Sequence, residues 1–112
     1  MLPQLKNVTS LELEDSGVHP MAMEGTAPKT AYKELFSESG HDAGVWECGP
    51  GKYRLERVSD ELFVLLSGHW ILTGDDGDVY DVKAGDTLLL RKGWKGIAHI
   101  VETIRKVYIA WE

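Results

Sequence analysis

From residue 44 onward the chain is cut into short, apolar-rich pieces by glycine-centred breakers, and that rhythm constrains the fold more than any other feature. Breakers stand at Gly49-Pro50-Gly51, at Gly68, at Gly74-Asp75-Asp76-Gly77, at Ala84-Gly85-Asp86 and between Gly93 and Gly96. Residues 52–57 alternate Tyr53 and Leu55 with charged neighbours, the period of a half-buried strand. Residues 61–67 are a nearly continuous apolar run, which predicts a strand covered on both faces and ended by Gly68. Residues 69–73 and 78–82 flank an Asp-Gly step that supplies the positive φ of a tight hairpin, so these two strands should pair. Further strands are expected over 44–48, 87–91, 97–102 and 105–111. With no helical segment among them, this spacing predicts an all-β sandwich or barrel. Twelve glycines in 112 residues, without a collagen-like period, agree with many tight turns.

The first part of the chain is less informative. Residues 1–29 read as an N-terminal arm or loop lying on the barrel, with Val8, Leu11 and Leu13 as a candidate short strand. Residues 30–39, TAYKELFSES, place Tyr32, Leu35 and Phe36 on one helical face and alternate less cleanly as a strand, so periodicity leans towards helix. The length supports one domain, with the barrel over 30–112.

Charge and cysteine content exclude several functions. Eighteen acidic residues against twelve basic ones give a net charge of −6, and the basic clusters (residues 91–95 and 105–106) are small. Nucleic acid is therefore not an expected partner, since its binders concentrate Lys and Arg against phosphate. Cys48 is the single cysteine, so neither an intramolecular disulfide nor a cysteine-only metal site can form. No run approaches the roughly 18 apolar residues of a membrane helix, and the first residues carry no secretory pattern. The expectation is a cytoplasmic protein with no membrane partner.

Two spaced motifs give the fold more detail. Gly49, Glu61 and Gly68 stand in the register of G-x5-H-x-H-x3-E-x6-G, with Leu55 and Arg57 at the two histidine positions. Gly85 and Gly93 match G-x5-P-x-G-x2-H-x3-N, with Arg91, Gly96 and Ile100 at the proline, histidine and asparagine positions. These are the two motifs of the cupins, small jelly-roll β-barrels. The wording GVWECGPGKYR, the Gly-Asp step, KGWKG and the closing IRKVYIAW resemble the ureidoglycine-aminohydrolase-like cupin domain, a group that includes the ethanolamine-utilisation cupin. The resemblance covers about residues 31–112. It implies a barrel, commonly dimeric, and a strand over 30–39. It does not transfer an activity: the turn glycines are kept while the metal-binding histidines are replaced.

Strand parity then nominates a site. If Glu61 points into the barrel, Tyr53, Leu55 and Arg57 are the inward set on the neighbouring strand, and Ala98 and Ile100 face inward on the late one, leaving His99 outside. One carboxylate beside Arg57 is a poor cation site, so no conventional metal site and no cofactor are expected. A buried Glu61 needs a partner, either an ion pair with Arg57 or a hydrogen bond from Tyr53. Arg57 could alternatively hold the carboxylate of a small ligand while Glu61 accepts its protons. Trp46 reads as core or pocket wall, and Tyr108 shares its parity with Lys106 and Ala110, which would place it in the cavity. Cys48 reads as an apolar filler, Trp94 as a cover for one barrel mouth, and His19, His41, His69 and His99 as surface or interface residues.

Three functions compete on these residues. The first is binding of a small polar metabolite through Arg57, Tyr53, Trp46 and Tyr108 without a conventional metal. The second is hydrolase or lyase chemistry on a small nitrogen-containing metabolite, with Glu61 as general base. The third is a structural or regulatory homodimer with a filled barrel, which predicts no cavity.

Overall fold

A computed structural model describes residues 1–112 and contains eight antiparallel strands and no helix, so no helix is present that could cross a membrane. The strands are β1 (Glu14–Val18), β2 (Lys29–Glu38), β3 (His41–Cys48), β4 (Gly51–Glu56), β5 (Asp60–Gly74), β6 (Val79–Lys83), β7 (Thr87–Leu90) and β8 (Lys95–Trp111). Two long strands organise the rest. The later half of β8 pairs with β3 and its earlier half with β4, while β5 pairs with β7 through residues 61–64 and with β6 through residues 69–73. β5 and β8 also pair with each other along nearly their whole length. The result is a jelly roll: β1-β2-β3-β8-β5-β7 forms one wall and β4-β8-β5-β6 the other, with β5 and β8 bending through both.

That bend corrects two boundaries. Gly68 does not end a strand; it bends one. At φ +92° a Cβ there would stand 2.2 Å from the Thr103 carbonyl oxygen, so only glycine lets β5 turn this closely over β8. The register shifts beside it, between Leu65 and Trp70, carry the sharp twist expected of bulges. The segments 97–102 and 105–111 are likewise one strand, because antiparallel partners continue on both sides of the bend.

The run 61–67 is covered on one face only. Glu61, Phe63 and Leu65 are buried, whereas Leu62 and Val64 are 41% and 43% exposed. An apolar run signals a fully covered strand only when both sides have a neighbour, and the outer side of β5 is covered only in part, by Leu5 and Val8.

The segment 30–39 is a strand, as the resemblance implied. Glu34 pairs with Gly44 and Phe36 with Ala43, so Leu35 is the extra residue of a bulge. The inserted residue brings Leu35 and Phe36 together and imitates a helical face. Near the N-terminus the strand is Glu14–Val18, not 8–13; it pairs by backbone with β2, and all five residues are exposed, so no hydrophobic period marks it. Residues 8–11 are held otherwise, by Arg105 donating to the carbonyls of Val8 and Leu11.

The core lies between the walls, with Phe63, Leu65, Trp70, Leu72, Ile100 and Ile104 almost fully buried. The hairpin turn after β5 forms as expected: Gly74 N–H donates to the Asp78 carbonyl, and Gly77 takes φ +92°. Trp94 packs on the core from its loop.

Candidate functional site

At the end of the barrel bounded by β3, β4, β5 and the later half of β8, a cavity of about 390 Å³ opens among polar and aromatic side chains. Glu61 sits at its base because it is the first inward residue of β5, opposite Ala110 of β8 and Leu90 of β7. Period two then turns Lys106, Tyr108 and Ala110 inward from β8 and sends Arg105 out, where it pairs with Glu47 at 3.2 Å. The two adjacent cations therefore do opposite things. Arg105 clamps the arm outside; Lys106 enters the barrel.

Glu61 is 5% exposed and Lys106 6%. Lys106 Nζ donates to Glu61 Oε2, and Arg57 Nη1 lies 3.2 Å from Oε1, so each carboxylate oxygen faces one cation. Arg57 is fixed by two further bonds to Ser59, from Nε to the carbonyl (3.3 Å) and from Nη2 to the hydroxyl (3.0 Å). Of its five N–H groups, one on each terminal nitrogen stays free of these contacts. Aromatic rings enclose the ammonium. Nζ stands 4.8 Å from the Trp46 centroid, 5.1 Å from Trp70, 5.2 Å from Phe63 and 5.6 Å from Tyr108, all within cation–π range.

This setting shifts proton affinities. Burial pulls the Lys106 ammonium below the usual lysine range; the Glu61 charge opposes that shift and the Arg57 charge adds to it. Burial holds the Tyr53 phenol protonated well above its ordinary range. Tyr108 is pushed up to about 12, by burial first and then by Asp42 and Glu61. Both phenols are hydrogen-bond donors at neutral pH.

All five residues nominated from sequence, Glu61, Arg57, Tyr53, Trp46 and Tyr108, line this one cavity. Lys106 and His19 are among the wall residues that were not nominated. Lys106 had the parity that located Tyr108, but it reads in sequence as half of a basic surface pair. His19 is a correction: it is no surface residue, because the segment preceding β2 folds its ring onto Tyr53, 3.9 Å between centroids and nearly parallel. Its Nδ1 accepts from the Met21 N–H, and its pKa is lowered by burial and by Lys106. No local pattern marks it, since its place depends on a bridge between Ala22 and Tyr53. Cys48 is a buried filler whose thiol is pushed up to about 12, mainly by burial, far from the reactive thiolate range.

Jelly rolls of this type bring a metal to mind, and the donor set here does not suit one. Leu55 offers no donor atom, and both oxygens of Glu61 face cations. A Cβ at Gly96 would lie 2.3 Å from the Thr73 carbonyl and 2.5 Å from the Trp94 ring, so that position has no room for a ligating side chain. No three His, Cys, Asp or Glu side chains cluster in a metal-holding arrangement anywhere in the chain.

The EutQ-like cupin domain matches residues 37–108, well over half of the sequence. The chain belongs to the EutQ-like cupin family. Among solved structures, it is similar to a DUF861-family protein of unknown function from Pseudomonas syringae pv. tomato, with a TM-score of 0.81 and 24% identity over 91% of this chain. The chain spans only 45% of that protein's length. It is also similar to the EutQ protein of Clostridium difficile, with a TM-score of 0.75 and 16% identity, covering 90% of this chain and 80% of that one. A DUF861-family protein from Thermotoga maritima is 26% identical over 57% of this chain and 73% of its own, with a TM-score of 0.56. No curated protein matches. At these identities the structural likeness is one of fold, and the site has to be read from its own side chains.

Proposed function

We propose that this EutQ-like cupin binds a small polar metabolite with an anionic group in its barrel, without a conventional metal site. One observation carries the reading: Arg57 and Lys106, both in the cavity wall, share the single carboxylate of Glu61. Buried Lys106 and half-buried Arg57 face one carboxylate, and Asp42, the other acid of the wall, pairs with neither, so a local surplus of positive charge at Glu61 is left that a ligand carboxylate would balance. The cavity is of the size that small-molecule sites have, roughly 300–1,000 Å³. A filled barrel would have no such space. Tyr53, Trp46 and Tyr108 supply an apolar body with polar tips, suited to orienting a small ligand. Trp70, in the same wall, keeps a buried indole N–H without an acceptor, which a ligand oxygen would satisfy. The hydrolase or lyase reading has less support, because both oxygens of Glu61 are engaged by Arg57 and Lys106, which leaves neither facing a substrate proton directly.

The test is a titration with small carboxylates followed by NMR chemical shifts and thermal stability. Specific, saturable binding that weakens at least about tenfold in Arg57→Gln, as expected for loss of a charge-assisted fork, supports the reading. Stoichiometric first-row metal in protein purified without chelator would overturn its metal-free part. We further propose a homodimer through the outer face of β5 and β8, where Leu62 and Val64 are exposed beside an apolar groove of about 500 Å³.

A further inference from the structure

Lys106 has the surroundings of a nucleophilic amine. Desolvation by an apolar cage and a neighbouring cation are the two arrangements that make a lysine reactive at neutral pH, and both are present here, in the aromatic rings and in Arg57. Glu61 stands in contact with Nζ and provides the base to which the ammonium proton can move. Tyr108, protonated to about 12, is a donor in the same wall. As a stability device the pair has little to recommend it, since apolar side chains of similar volume commonly do as well as a buried ion pair.

We propose that Lys106 forms an imine with the carbonyl carbon of a small 2-oxo acid whose carboxylate is held by Arg57. This rests on the binding reading above and names its ligand class. Arg57 and Lys106 approach opposite oxygens of one carboxylate, so they are near enough to engage adjacent carbons of one small molecule: the acid group at the free guanidinium N–H groups, the ketone at Nζ.

The step balances without any further reagent. Lys106 gives one ammonium proton to Glu61, and the freed lone pair attacks the carbonyl carbon. The C–N bond forms as the C=O π electrons move to oxygen. That oxygen takes a second proton from the attacking nitrogen, with Tyr108 hydrogen-bonding to it. The hydroxyl then leaves with the proton stored on Glu61 as the nitrogen lone pair closes the C=N bond. The carbonyl oxygen departs as water with two of the three ammonium protons, and Glu61 returns to its ionised state.

The experiment uses the full chain with pyruvate and sodium cyanoborohydride near pH 7, read by intact mass and peptide mapping. The expected product is one 1-carboxyethyl group per chain, on Lys106, exceeding that on any exposed lysine by about tenfold or more, because only there does a bound acid hold the ketone against an amine. Lys106→Arg keeps a cation beside Glu61 and should lose the adduct while still folding; Lys106→Met checks the same loss without the charge. Lactate, which has the carboxylate but no ketone, tests the binding reading alone. If lactate and pyruvate both shift the resonances of the cavity residues but Lys106 stays unmodified, the imine is wrong and the binding reading stands. The imine is equally wrong if adducts spread evenly over the exposed lysines. If neither acid binds, both readings fail.

Discussion

The wall made by β3, β8 and β5 has two faces of opposite character. Its inner face carries Glu61, Lys106, Tyr108, Trp46 and Phe63; its outer face carries Val45, Leu62, Val64, Val107 and Ile109. The usual arrangement is apolar inside and charged outside, and here the charges are inside. A sheet in water can hold ions in its interior only if they satisfy one another, and can show aliphatic side chains outside only over a limited area. The inner face meets the first condition through Glu61 between Arg57 and Lys106. The outer face meets the second in part, because Leu5 and Val8 of the arm lie along its groove. Such an inversion is what the proposed ligand inside and the proposed second copy outside would each require.

The largest expected effect breaks the inner face. Glu61→Leu strands the buried ammonium of Lys106 and leaves half-buried Arg57 without its carboxylate, and should cost about 3–5 kcal/mol in urea unfolding, while adding Lys106→Met should restore a good part of that loss. A cost under about 1 kcal/mol, as an exposed pair would give, would mean that the three charges are not coupled. Next comes the one inward position of β8 where no side chain fits. Gly96→Ala places a methyl group against the Thr73 carbonyl and the Trp94 ring, and should destabilise by about 1–3 kcal/mol. If it is neutral, Trp94 moves freely and a ligating side chain would have room after all.

How much of this contrast can be read from sequence follows from its physics. Period two along 52–57 and along the last strand locates Tyr53, Arg57 and Tyr108 in the cavity, because parity is local. Asp-Gly fixes the hairpin for the same reason. Lys106 escapes because composition pairs it with Arg105, although strand geometry separates adjacent residues. His19 escapes because its position depends on a segment crossing over β4, which no periodicity encodes. The strand Glu14–Val18 is invisible for a third reason: it is held by backbone bonds, the Thr30 hydroxyl on the Gly17 carbonyl and an exposed Glu14–Lys33 ion pair, none of which a hydrophobic period marks.

On the outer face, Val64→Asp should change chain stability at low concentration by less than about 0.5 kcal/mol, as for most exposed positions. It should nonetheless turn a dimer into a monomer in sedimentation and remove any concentration dependence of Tm. A monomeric wild type would leave that face without its proposed partner. The smallest effect is a titration. The Cys48 thiol ionises from 9.0 in the unfolded chain and only at about 12 in the fold, so its contribution is fully present below pH 9 and is lost as pH rises towards 12. Stability should therefore fall across that window, and fall less steeply in Cys48→Ala; parallel curves would show that the interior wall admits water beside Cys48.

Because β8 supplies the neighbour of β3, of β4 and of β5, the order in which the ribosome delivers the chain matters. Residues 41–56 emerge with only β2 and the segment 21–23 to pair with and stay so until residues 95–111 are made, a wait on the order of several seconds at ordinary elongation rates. During it the nascent chain keeps open strand edges, so the sheet is completed only when its last strand is made, whatever the small size of the barrel.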